Sequence, residues 1–185
     1  MMPKGLLHVL MIAVALILFG AAGAMAEVTT IQECESVGES AWADGDLYVK
    51  KGNWATYVDY EALFEDFDSD PQVTLYAGRA LEAGTVHFSE VEEGFVTITI
   101  TLADGWFFEA GEENVKIQDY ATAPEDKPSP GRFMHKFEAS HDDTTLIISV
   151  PENNFYGVHV NVEEMRCQAI DPEDPEEPGE LENPV

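Results

Sequence analysis

The sequence predicts an all-β fold: an antiparallel β-sandwich of Ig-like or jelly-roll-like type. Three observations carry that expectation. The stretch Phe95–Leu102 alternates strictly, with Val96, Ile98, Ile100 and Leu102 on one face and Phe95 and the threonines on the other. Its residues are β-branched, aromatic or leucine, the composition that packs on a half-buried pleated surface. Runs of the same kind recur at intervals of about 8–12 residues between Gly, Pro and Asp turns, and no apolar pattern is long enough for a core helix. A closed barrel is the alternative.

Taken in order, Met1–Ala26 reads as an export signal. Lys4 is its only charge, Leu6 to Phe19 is an apolar run broken by His8, and Ala24-Met25-Ala26 is a small-x-small cleavage pattern. The run is shorter than a typical membrane span, and an uncleaved anchor is the alternative. Neither a lipid-modified cysteine nor a C-terminal hydrophobic tail is seen, so no membrane span is expected in the mature chain. Residues 27–170 are expected to form one secreted β-domain.

Ser36 to Gly52 is mixed, with Trp42, Leu47, Tyr48 and Val49 as its apolar residues. Asn53 to Val58 reads as a strand. Glu61 to Asp70 reads as a short helical turn or an acidic loop, broken at Pro71. Strands are then expected at Gln72–Tyr76, Gly84–Ser89 and Phe95–Leu102. Asp104-Gly105 is a hairpin signal, so Trp106-Phe107-Phe108 is expected to begin the return strand of a central hairpin. Further strands are expected at Asn114–Tyr120, Arg132–Phe137, Thr144–Val150 and Tyr156–Glu163. In the last, Tyr156, Val158, Val160 and Val162 face in while His159, Asn161 and Glu163 face out. Residues 121–131, with Pro124, Pro128 and Pro130, form a loop. Residues 171–185 are acidic, proline-rich and nearly without apolar side chains, and are expected to be a disordered tail.

The chain holds 36 acidic and nine basic residues, for a formal net charge of −27. A field of that sign excludes general binding to nucleic acid or anionic lipid. It attracts cations and basic partners. Solubility in a salty medium is the alternative use of the charge. Cys34 and Cys167 lie near the two ends of the folded region, and in an oxidising compartment they are expected to form one disulfide. A metal or catalytic thiol is the competing reading.

Ser40-Ala41-Trp42-Ala43, Gly52-Asn53-Trp54-Ala55-Thr56-Tyr57, Thr74-Leu75-Tyr76-Ala77-Gly78 with Gly84-Thr85-Val86, and Pro130-Gly131-Arg132-Phe133 form a pattern. It resembles a group of small secreted bacterial β-domain proteins with an LYAG…GTV…GW…PGxF signature. The resemblance covers most of residues 34–167 and implies a secreted β-domain without assigned catalytic residues. After Trp106 this chain carries Glu109 to Glu113, where many such domains have a histidine-bearing strand.

Asp66-Phe67-Asp68-Ser69-Asp70 is the best metal candidate, since Asp66, Asp68 and Asp70 can turn hard oxygens toward one calcium. Pro71 and Ala77 stand where an EF-hand needs Gly and Glu, so the loop is not one. The cofactor expectation is therefore none, or Ca2+. His87, His135, His141 and His159 show no zinc spacing and read as surface residues; His87 and His159 could meet if their strands paired. Trp42, Trp54, Tyr57 and Trp106 are candidates for an aromatic platform under sugar rings, with sandwich core as the competing reading.

These readings lead to a secreted or periplasmic, non-enzymatic binding or surface-associated module, for a glycan or a basic partner. The alternative is a structural subunit that adds to a neighbour, or to itself, through an edge strand such as the threonine-rich one. A small secreted hydrolase is the third reading. The calcium reading is tested by Asp68→Ala, which should abolish a calcium-dependent rise in melting temperature. A rise that survives the substitution places any ion elsewhere.

Overall fold

The computed structural model describes residues 31–52, 54–65, 70–126 and 128–170. The expected export signal, the expected tail, Asp66 and Asp68 lie outside the described residues. The protein is all-β and mostly antiparallel, consistent with a sandwich-like fold. Its strands are β1 Ile31–Ala43, β2 Asp46–Leu47, β3 Thr56–Asp59, β4 Gln72–Ala77, β5 Leu81–Phe88, β6 Phe95–Leu102, β7 Trp106–Phe108, β8 Val115–Tyr120, β9 His135–Phe137, β10 Thr145–Pro151 and β11 Phe155–Ile170. Short 3-10 turns occupy Glu61–Phe64 and Pro130–Arg132.

The chain divides into two compact units. Ser36–Met165 is the larger. The smaller, in its described part, brings residues 31–35 and 166–170 together. Cys34 and Cys167 form the expected disulfide there, with sulfurs 2.10 Å apart across a sequence separation of 133. Closing a loop of that length lowers unfolded-chain entropy by about 5 kcal/mol in the chain-entropy view.

In the larger unit the strands follow the order β10-β6-β5-β4-β1-β11-β3-β2, with β7 and β8 also pairing with β11 and β9 pairing with β8. β6 lies inside the sheet. Ile98 is opposite Phe88 of β5 and opposite Ile148 of β10. The threonine-rich strand is therefore not an edge, contrary to expectation, and its two occupied sides also exclude the expected hairpin. The chain does turn at Asp104-Gly105: Trp106 N–H donates to Ala103 C=O at 3.1 Å, and Gly105 supplies the positive φ of 85° that such a turn needs. But β7 then pairs with β11, Phe108 opposite Val162. A turn signal reports reversal and leaves the partner open.

β1 was not visible as a strand in the mixed segment. Within the larger unit its exposed or half-exposed stretch Ser36–Ser40 has no apolar alternation, and burial begins only at Ala41. The strand expected up to Val58 begins at Thr56, with Tyr57 and Val58 both buried, and the one expected from Arg132 begins at His135, after a 3-10 turn. The alternations of β5, β6 and β11 hold on their core faces. Val96, Ile98 and Ile100 of β6, Val86 and Phe88 of β5, and Tyr156, Val158, Val160 and Val162 of β11 all point into one core with no exposed surface.

The second face of β11 is covered as well. Trp42, Tyr48, Ala55, Tyr57 and Phe133 form a separate apolar cluster there. Gly157 and His159 lie beneath it and are buried. His159 is 6% exposed and meets Trp42 edge-to-face at 4.9 Å between ring centroids, so the expected outward, solvated position is corrected. The alternation did place His159 opposite the valines; what it did not show is a layer of aromatics above. Gly157 lets that layer close. A Cβ there would collide with the Tyr48 hydroxyl. Gly157→Ala should destabilise the protein by about 1–3 kcal/mol in urea unfolding, as an overpacking change. Tyr48→Phe should recover part of that loss, and strict additivity of the two changes would show that the contact is not the cause.

Candidate functional site

The aromatic cluster ends in an open groove of about 350 Å³, lined by Trp42, Asp44, Gly45, Leu47, Trp54, Thr56, Tyr76 and Arg79. This lies within the range of small-ligand pockets. Strand register assembles it. Trp42 near the end of β1 is opposite Tyr76 of β4, which brings their side chains to the same face. β1 then runs into the Asp44-Gly45 turn. Asp44 N–H donates to Thr74 C=O at 2.8 Å, and the Asp44 carboxylate accepts the Gly45 N–H at 3.0 Å. Gly45 lies against β3 so closely that a Cβ would strike the Tyr57 carbonyl. Thr56 donates its hydroxyl to Ala43 C=O at 2.6 Å, tying β3 to the end of β1.

The wall is supported from behind. Trp42 packs edge-to-face on Tyr48, Phe133 and His159. Tyr48 packs on Tyr57, and its hydroxyl donates to that of Tyr120 at 3.1 Å. Burial, followed by the Tyr120 hydroxyl, pushes the Tyr48 phenol far above its ordinary range. Burial and then Asp46 and Asp59 raise Tyr57. Both therefore stay neutral. Leu47 and Arg79 are exposed at the rim, and Arg79 makes no ion pair among the described residues. The groove thus offers aromatic faces, one carboxylate and one cation.

Of the predicted platform residues, Trp42, Trp54 and Tyr57 come together here. Trp42 and Tyr57 are buried supports, while Trp54 is half-buried. Trp106 does not belong: it lies in the main core, 7% exposed. Asp44, Tyr76 and Arg79 were missed. Tyr76 stood within the quoted Thr74–Gly78 pattern, which was the one available signal. For the calcium reading, Asp70 is described, with Oδ1 3.5 Å from His87 Nε2. Among the described residues no cluster of three or more His, Cys, Asp or Glu could hold a metal ion.

The histidines separate. His87 lies in β5, between β4 and β6, and His159 in β11, so their strands do not pair. His135 Nε2 lies 2.8 Å from Asp119 Oδ1, and Asn153 Nδ2 donates to Asp119 Oδ2 at 2.7 Å. Burial alone would raise the Asp119 carboxyl, but the hydrogen bonds from Asn153 and His135 hold it below its usual value. His141 stacks on Phe107 at 5.2 Å, with Nδ1 2.9 Å from Phe108 C=O.

No protein-family model, curated protein or solved structure matches this chain. No helix among the described residues is long and apolar enough to cross a membrane.

His159 makes the supporting layer pH-sensitive. Burial, with a smaller effect of Lys116, lowers its pKa from 6.5 to about 4, and its Nδ1 has no hydrogen-bond partner among the described residues. Below pH 6.5 the unfolded chain takes up a proton that the folded chain refuses until about pH 4. Its contribution is therefore complete above pH 6.5 and declines by about 3 kcal/mol across that window. Urea unfolding of wild type against His159→Leu at several pH values should show the wild type alone losing this increment. Parallel pH profiles would contradict it.

Proposed function

We propose that this chain is an exported, non-enzymatic binding module that holds a glycan in the Trp42–Trp54–Tyr76 groove. The observation that carries the reading is the composition of the groove: half-buried Trp54 and Tyr76 beside Asp44 and Arg79. The C–H face of a pyranose is apolar and its rim carries hydroxyls. An indole or phenol face buries the first, while a carboxylate and a guanidinium bond the second. The disulfide supports an oxidising, extracellular or periplasmic setting. In a chain of net charge −27, Arg79 at the rim, which makes no ion pair among the described residues, also favours sugars that carry a carboxylate. No observation singles out calcium, a cell-surface protein or a hydrolytic centre.

Affinity electrophoresis in gels containing neutral or uronate polysaccharides tests this. Wild type should be retarded by at least one of them. Trp54→Ala should weaken retention by about tenfold or more, a loss of about 1.4 kcal/mol or more. Arg79→Ala should weaken it chiefly on uronate gels. Equal mobility of wild type and Trp54→Ala on every gel would sink the reading.

A further inference from the structure

We infer that β10 is an association edge and that its partner is the β10 of a second copy of this chain. β10 ends the strand order and, among the described residues, pairs with β6 alone. Two backbone bonds set the phase of that ladder. Leu102 N–H donates to Thr144 C=O at 2.8 Å, and Glu152 N–H to Gly94 C=O at 2.9 Å, both in the register that sets Thr145 opposite Thr101. Bonded residues alternate along an antiparallel strand. Leu146, Ile148 and Val150 therefore turn their backbone groups to β6, while Thr145, Ile147 and Ser149 turn theirs to the open side. The open row is bounded at both ends. Pro151 has no N–H, and its C=O accepts the Tyr156 hydroxyl at 3.0 Å; Asp143 N–H donates to Ser140 C=O at 3.0 Å.

Monomeric β-proteins guard such an edge with a charge or a bulge. β10 has no charged residue in a chain that holds 36 acids. Its outer-face neighbours Thr85, Thr97, Thr99 and Thr101 are also uncharged, and Ile147 and Phe95 on that face are 67% and 50% exposed. Between the ends of this strand, copies that repel one another elsewhere meet no charge.

The edge is also complementary to itself. With a two-fold axis through Ile147, Ile147 faces Ile147 and Thr145 faces Ser149. Every outward N–H and C=O of these residues then bonds its counterpart in the other copy. The two Ile147 side chains meet on one face and leave water together. A foreign strand would match the backbone but not that contact. At the ends of the joint, Asp142 falls opposite Glu152 of the second copy, a like-charge pair that opposes association until salt screens it.

The test is light scattering on a size-exclusion column with the full oxidised chain, from about 0.02 M to about 1 M salt, which shortens the screening length from roughly 20 Å to about 3 Å. The dimer fraction should rise with salt. Glu152→Gln should strengthen the dimer at low salt and flatten that dependence. Ser149→Pro removes an N–H that the monomer does not use, so it should leave the thermal melt near wild type while weakening the dimer about tenfold or more. Ile147→Lys should weaken it similarly, whereas Met134→Lys, at a site 73% exposed elsewhere, should not. A monomer at every salt concentration overturns the inference. So does a dimer indifferent to Ser149→Pro and Ile147→Lys, or one that Met134→Lys weakens equally.

Discussion

Everything distinctive in this fold depends on β11 being buried on both faces. A strand covered on one side needs only alternation. A strand covered on both needs a fit on each. On the core face Tyr156, Val158 and Val160 supply bulk. On the other, Gly157 withdraws its side chain so that Tyr48 can lie against the backbone, and His159 gives Trp42 a flat neighbour. The aromatic layer rests on that pair of residues, and the groove is the layer's open rim. The cost is a histidine whose Nδ1 bonds nothing among the described residues, tolerable because the ring is neutral at ordinary pH.

Charge has a second, wider influence. With 36 acids on one small chain, places that depart from that charge stand out. One is the groove rim, where Arg79 shares the lining with Asp44 and makes no ion pair among the described residues. The other is the open side of β10 and the threonine face beside it. In a repulsive field, an uncharged edge is where a second copy meets the least resistance, and an unpaired guanidinium is where an anionic group meets the most attraction. The proposed glycan site and the proposed self-association edge use different strands.

Legibility followed burial. β6 was readable to the residue because one of its faces is in the core and the other is not, so alternation is complete. β8 was readable for the same reason; in the central part of β11 the alternation separates the large apolar side chains of the core face from Gly157 and His159 on the other, although both faces are buried. β1 was not, since most of its described side chains never enter the core and nothing selected for a pattern. Trp42, Trp54 and Tyr57 were grouped with Trp106 on residue type alone. The structure gathers the first three and sends Trp106 to the main core, because β7 joins β11 instead of β6. Asp44 and Arg79 gave no signal, since an exposed charge in a turn looks alike with or without a groove beside it.

The sequence by itself determined the all-β class, most strand positions, the core faces of β5, β6, β8 and β11, and the disulfide pair. These follow from local alternation and from two cysteines with no other partner. Only the tertiary structure decided which strands pair, that β6 is interior and β10 an edge, that an aromatic layer covers His159, and which aromatics share a groove. The physical reason is that alternation records whether a side chain is buried, while the backbone hydrogen bonds that choose a partner strand are the same for every residue.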